Sequence, residues 1–185
     1  AVFIENMAEF FRYNLSKSDQ ETTLGDEITL VEHYLYILNV RFGGAIHFQK
    51  EVDESLLHMP MPSMILQPLV ENAYQYGIRE MEEAGTIRLL VEKMNRQVVI
   101  HVQDEGRGID QERIDYILSG EYQPDKNNKK SNGIGVYNVM ERLRIFYGVK
   151  DVLQIVSKGE GQGTDVIITI PALGQEEGGD NHVSD

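Results

Sequence analysis

Apolar residues recur along most of this chain at helical or strand spacing, and the breaks fall at glycine, proline or short polar clusters. Over residues 1–16, Phe3, Ile4, Met7, Phe10, Phe11 and Leu15 make one helical face. It is too wide and too aromatic to stay in water on a lone helix. A polar stretch at 16–23 interrupts it. Thr23-Leu24-Gly25-Asp26-Glu27 then carries the start signals of a second helix, whose apolar face (Ile28, Val31, Leu35, Leu38, Phe42) runs to Gly43-Gly44. Residues 45–52 predict a strand and 53–62 a connection. Pro68 would break a helix running on from residue 62, so the pattern predicts either a kink there or, as the better fit, a new helix with Pro68 in its first turn, where a missing N–H costs no helical bond. Residues 86–94 and 97–104 are β-rich and separated by Asn95-Arg96, a two-residue hairpin connection. A short helix over 110–118, a polar loop over 119–132, a helix over 134–147 closed by Gly148, and strands over 152–157 and 165–170 complete the pattern. Residues 174–185 are acidic and glycine-rich and predict disorder.

This order predicts an α/β two-layer sandwich, with a mixed, largely antiparallel sheet covered by helices on one face. Residues 45–171 form its body and 172–185 a tail. Residues 1–44 are a helical appendage or, alternatively, complete the same core. At 185 residues and 41% hydrophobic the chain can bury an ordinary core. It contains no cysteine, which excludes disulfides and thiolate metal sites. A formal charge of -13 opposes general nucleic-acid binding. No apolar run approaches the roughly 20 residues that span a bilayer. The chain opens without methionine in the middle of a helical pattern, so we expect a fragment of a longer protein.

Candidate chemistry falls in three places. Over residues 64–79, Leu66, Leu69, Val70, Ala73 and Gly77 form a buried helical stripe, while Asn72, Gln75, Tyr76 and Arg79 share a second face. Those groups offer a metal oxygen ligand, hydrogen bonds, an aromatic surface and a phosphate partner, or else a solvated face. Asp104-Glu-Gly-Arg-Gly-Ile109 ends a strand on an acid and then turns at Gly106 and Gly108. Such an acid can accept from an exocyclic amine while glycines let a flat ring approach; an ordinary glycine turn is the alternative. A dinucleotide fingerprint fits less well, because Gln111 stands where its third glycine belongs. Gly133-Ile134-Gly135 opens the helix at 134, where free N–H groups favour phosphate. Lys126, Lys129 and Lys130 before it form either a cationic lid or a solvated loop. No phosphate-loop motif, kinase catalytic loop or metal-binding histidine spacing occurs.

In order, Asn72, Asp104 to Gly108, Gly133 to Gly135 and Gly161-Gln-Gly163-Thr164 resemble the asparagine box and three glycine boxes of the Bergerat ATP-binding fold of histidine kinases, gyrase, Hsp90 and MutL. Leu66-Gln-Pro-Leu-Val-Glu-Asn-Ala73, Tyr34-Leu-Tyr-Ile-Leu-Asn-Val-Arg-Phe42 and Gly135-Val-Tyr-Asn-Val-Met-Glu-Arg-Leu143 are similar to LytS/YesM-like sensor histidine kinases. The resemblance implies Asn72 as the Mg²⁺ ligand and Asp104 as the partner of the adenine amine. It makes Gly106, Gly108, Ile109, Gly133, Ile134, Gly135, Gly161, Gly163 and Thr164 pocket-shaping residues, with Asn138 and Arg142 in support. No catalytic residue is assigned: Glu71 is conceivable as a general base, but its position about 100° around the helix from Asn72 speaks against that role. Gln75-Tyr76-Gly77 replaces the usual Lys-His-Gly, removing one phosphate-facing charge and leaving the Tyr76 phenol to pack on the base.

The family's phosphorylated histidine sits upstream, in a motif absent here; His33, His47, His58, His101 and His182 occupy other contexts. Residues 1–16 then read as the second helix of a dimerisation hairpin. The resemblance implies the ATP-binding catalytic part of a membrane-anchored sensor kinase, cytoplasmic and dimeric when complete. It would transfer the γ-phosphoryl of Mg-ATP to a histidine on a helical hairpin for relay to a response-regulator receiver domain. Two rivals stand beside it: a non-catalytic nucleotide-sensing interaction module, and an ATPase or serine kinase of the same fold.

Overall fold

The computed structural model describes residues 2–8, 21–44, 46–79, 81, 83–120 and 134–172. Lys126, Lys129, Lys130 and Gly133, with most of the expected lid and the tail beyond Ala172, lie outside them. Residues 2–8 are helical and largely exposed; the rest of the first predicted helix also lies outside the described residues.

The second helix, α1, spans Leu24–Phe42. Thr23 caps it by accepting from the Asp26 N–H, and Gly43 closes it in the left-handed conformation. Strand β1 (Glu21–Thr23) precedes it and pairs antiparallel with β3 (Pro60–Pro62), a small ladder inside stretches expected to be irregular. Three-residue strands carry too little alternation to be read from sequence. Strand β2 (Ile46–Val52) leads to that second segment, and helix α2 spans Leu66–Asn72 with Pro68 in its first turn.

The expected α-helix does not continue to Arg79: Ala73–Ile78 is a π turn, in which the Arg79 N–H bonds to Tyr74 O at 2.8 Å. Strands β4 (Gly85–Met94) and β5 (Gln97–Asp104) form the expected hairpin. Asn95 takes φ 58°, the positive value such a two-residue turn requires. Helix α3 (Gln111–Ser119) is capped by Asp110, helix α4 spans Ile134–Tyr147, and β6 (Leu153–Val156) pairs antiparallel with β7 (Thr164–Pro171).

The main sheet has the order β2-β4-β5-β7-β6, with β2 parallel to β4 and every other pair antiparallel. Alternation sends Ile87, Leu89, Val91, Val98, Ile100, Val102, Ile168 and Ile170 to one face, where they meet Leu66, Leu69 and Val70 of α2 and Val139, Met140 and Leu143 of α4 in one core. Leu24, Ile28, Val31 and Leu35 of α1 join that core. On the opposite face His101 and Gln103 both bond to Asp165 across β5 and β7. The two-layer mixed sandwich expected from the pattern is the fold observed.

Candidate functional site

The C-terminal end of β5 approaches the π turn closely, and glycines make the approach possible. A Cβ on Gly77 would lie 2.5 Å from Asp104 Oδ1, and one on Gly106 would lie 2.2 Å from the Gly77 carbonyl. A Cβ on Gly163 would meet Asp104 O at 2.1 Å. Only hydrogen side chains permit these backbones to touch. Hydrogen bonds stitch the same segments: Arg107 N to Gly77 O at 3.3 Å, Gly163 N to Gly106 O at 3.0 Å, and Ile109 N to Ser157 Oγ at 3.1 Å. Ser157 Oγ in turn donates to Gly163 O at 2.7 Å. The turn after β5 and the loop between β6 and β7 are therefore one unit.

This unit bounds an open cavity of about 840 Å³, counting its solvent-filled mouth. Leu69, Val102, Ile109, Ile117, Val136, Ile155 and Val166 give it apolar walls, with Asn72, Tyr76, Asp104, Arg107, Arg113 and Thr164 among them. Flat apolar walls around a few polar groups suit an aromatic base. Asp104 accepts from the Gly106 N–H at 2.9 Å. Burial lifts its carboxyl from 3.8 to about 6, with a smaller push from Asp165, against backbone N–H bonds from Gly106 and Thr164 that favour the ionised form. Desolvation thus prevails, and Asp104 holds its charge at a cost that a ligand donor would offset.

Of the residues singled out from sequence, Asn72, Tyr76, Asp104, Gly108, Ile109 and Thr164 line this cavity. Gly106 and Gly163 lie behind it in the close glycine contacts, and the Gly161 N–H bonds to Arg107 O. Gly135 stands at the first turn of α4, where a Cβ would be 3.4 Å from Asn72 Nδ2; Ile134 precedes it, part-exposed.

Gln75 and Arg79 do not line it, although α-helical spacing places them with Asn72. The reason is the π turn. Each residue in it advances less than the 100° of an α-helix, so Gly77 swings from the buried stripe to the cavity while Arg79 leaves it. Gln75 Nε2 donates instead to Glu71 Oε1 at 3.2 Å. Burial raises the Glu71 carboxyl, but it too is absent from the lining. Asn138 and Arg142 lie elsewhere, on a shallow surface with Pro62 and Ile145, and Arg142 Nη1 donates to Ser63 O at 2.6 Å. Sequence reasoning missed Gly77, Arg107 and Arg113 as lining residues. Arg113 falls four residues after Ile109 and four before Ile117, a helical spacing that could have found it.

An α/β sandwich whose cavity lies between a glycine-seamed strand end and an asparagine-bearing helix belongs to the nucleotide-binding class. A family model described as "Histidine kinase-, DNA gyrase B-, and HSP90-like ATPase" matches residues 61–174, and one described as "Histidine kinase" matches residues 1–46. The chain belongs to the histidine kinase-, gyrase B- and HSP90-like ATPase family, whose shared ligand is ATP.

Sensor histidine kinase YesM of Bacillus subtilis is 30% identical over 168 residues, covering 91% of this chain and 27% of YesM. Sensor histidine kinase YpdA of Escherichia coli is 32% identical over 146 residues, covering 78% of this chain and 24% of YpdA. The chain thus spans about a quarter of the length of these relatives. The catalytic domain of histidine kinase ThkA superposes with a TM-score of 0.60 at 22% identity, over 83% of this chain and 97% of that domain, and shares the fold. No helix among the described residues is long and apolar enough to cross a membrane.

Proposed function

We propose that this chain binds Mg-ATP as the catalytic part of a two-component sensor kinase and directs the γ-phosphoryl to a histidine outside the chain. The observation that carries this reading is the pairing of a half-buried, partly desolvated Asp104 with Asn72 along one apolar cavity. Asp104 would accept from the exocyclic amine of adenine, and the wall from Ile109 to Val166 would hold the ring. Asn72, five residues before Gly77, would face the phosphates.

The donor set suits Mg²⁺. No cluster of three or more His, Cys, Asp or Glu side chains that could hold a metal occurs among the described residues. One amide oxygen, Asn72 Oδ1, would hold the ion beside the phosphates, a hard oxygen donor of the kind Mg²⁺ takes. Bound there, Mg²⁺ would neutralise charge on the phosphoryl oxygens. The chain's own part is positioning: Asn72 and the first turn of α4 orient the phosphates, and the apolar walls exclude water from the base.

In this reading residues 1–44 are the end of a helical dimerisation and acceptor region, 45–171 the ATP-binding unit and 172–185 a tail. The whole protein is a membrane-anchored dimer with this part in the cytoplasm. A response-regulator receiver domain takes the phosphoryl group from the histidine. One observation favours the rival sensing module: Gln75 is bonded to Glu71 and does not line the cavity.

Incubation with γ-labelled ATP, with and without a separately supplied histidine-bearing hairpin, separates these readings. Label on the hairpin alone, lost in acid, is expected. Acid-labile label on this chain alone would overturn the assignment, and tight ATP binding without label on either partner would favour the sensing module.

A further inference from the structure

A helix begins with N–H groups that lack partners within the helix, and α2 has no capping side chain of its own; Ile65 precedes it in an α-like conformation. The partner comes from α1. Glu27, with no exposed surface, accepts from Met64 N at 2.8 Å through Oε1, and from Ile65 N at 2.8 Å and Leu66 N at 2.9 Å through Oε2. Three charge-assisted bonds thus span 37 to 39 residues of sequence.

The same turn is gripped from the other side by α4: Arg142 donates to Ser63 O, and Tyr147 Oη to Pro60 O at 3.0 Å. Met64 holds φ 60° there, a conformation unfavourable for a side-chain-bearing residue and stable only where its surroundings impose it. Bonds at the N–H groups from α1 and at the carbonyls from α4 are such an imposition.

Beyond that turn, the seven residues of α2 lead directly to Asn72 at its end. A shift or tilt at Met64–Leu66 therefore moves Asn72 first, whereas Asp104 is held by β5, Gly106 and the β6–β7 loop and meets this segment only beyond Asn72, at Gly77. We propose that Glu27 is a positioning residue for the phosphate end of the site: through the start of α2 it sets where Asn72 meets Mg-ATP, and it leaves the adenine end alone. The inference rests on the proposed roles of Asn72 and Asp104 and goes beyond them by assigning control of one end to α1.

Glu27→Gln keeps size but sets an NH₂ group against backbone N–H donors; Glu27→Asp keeps the charge but falls one methylene short. Both variants of this 185-residue chain would be titrated calorimetrically with ATP in excess Mg²⁺, with ATP in chelator and with adenosine, well below the melting temperature of each. The expected result is that the gain in ATP affinity conferred by Mg²⁺ shrinks roughly tenfold in Glu27→Gln and less in Glu27→Asp, while adenosine affinity stays within about twofold of the parent. A lower melting temperature with the Mg²⁺ gain intact, or equal losses for all three ligands, would overturn the proposal. If Glu27→Gln does not fold, the milder Glu27→Asp decides by the same criterion. Asn72→Ala is the reference. If it leaves the Mg²⁺ gain unchanged, the proposed role of Asn72 fails; if it abolishes the gain while the Glu27 variants retain it, only the role of Glu27 fails.

Discussion

Replacing Asp104 by Asn should move stability and affinity in opposite directions. Burial holds this carboxyl near 6 instead of 3.8, so at pH 7 the folded apo protein carries a charge disfavoured by about 3 kcal/mol relative to the unfolded chain. The amide removes that term. It also loses one acceptor: Gly106 and Thr164 both direct backbone N–H groups at the carboxylate, and an amide that keeps one of these bonds turns its NH₂ toward the other or toward the cavity. A lost backbone bond costs about 1 kcal/mol, leaving about 2 kcal/mol in favour of the variant. For a chain of this size that corresponds to a melting temperature higher by roughly 4–8 °C at pH 7.

The sign reverses for binding. A donor now meets the exocyclic amine, and a buried mismatch costs about 1–3 kcal/mol, or roughly 5- to 150-fold in affinity. Calorimetric titration with adenosine and thermal denaturation at pH 4 and pH 7 test both halves. A folded carboxyl raised above its unfolded value favours the parent at pH below about 4 and loses that contribution as pH rises through about 6. The stability advantage of Asp104→Asn should therefore be present at pH 7 and absent at pH 4. A lower melting temperature at pH 7, an equal advantage at both pH values, or unchanged affinity would refute this account of Asp104.

The same geometry sets two other outcomes. Adenosine binding by the parent chain should weaken as pH falls from 7 through 6, approaching tenfold per pH unit once Asp104 is protonated, and should be flat in Asp104→Asn; a pH series of titrations checks it. Gly77→Ala forces the carboxylate off a position 2.5 Å from the new Cβ, so nucleotide affinity should fall by at least about tenfold. Its melting temperature should fall as well, because overpacking against an anchored carboxylate costs about 1–3 kcal/mol and outweighs the about 1 kcal/mol by which alanine is the better helix former; calorimetry with thermal denaturation checks both.

Much of this architecture is legible in the sequence because the signals are local. The Asn95-Arg96 turn lies between two strongly alternating runs, and Thr23 and Gly43 mark the ends of α1 by side-chain and backbone chemistry that needs no tertiary context. Nonlocal features escape such a reading. The π turn at Ala73–Ile78 leaves no mark in a pattern read at 3.6 residues per turn, which puts Arg79 beside Asn72 and Gly77 away from it. Arg142 reads as a site residue because it follows Gly135 on one helix, yet its guanidinium turns to Ser63, which no local spacing predicts. Glu27 reads as an ordinary acid in a first helical turn; only the fold brings it to the start of a helix 39 residues later that has no capping side chain of its own. The Asp104 turn is legible because Gly106 and Gly108 lie within four residues of the acid, whereas Gly77 and Gly163, which also press on it, come from distant segments.

The end of α1 also protects the protein from its own sheet. Strand β2 forms an open margin, where unpaired peptide groups invite another molecule to add a strand. The Asn39 side chain imitates such a neighbour for one residue, its Nδ2 donating to Ile46 O and its Oδ1 accepting from Ile46 N, both at 2.9 Å. Further along, exposed His47, Gln49, Lys50 and Glu51 stud the strand, and Lys50 is tied to Glu32 on α1. A recruited strand would have to evict the amide and bury those charges. Aggregation by edge-to-edge growth is thereby blocked where the parallel strand leaves the sheet open.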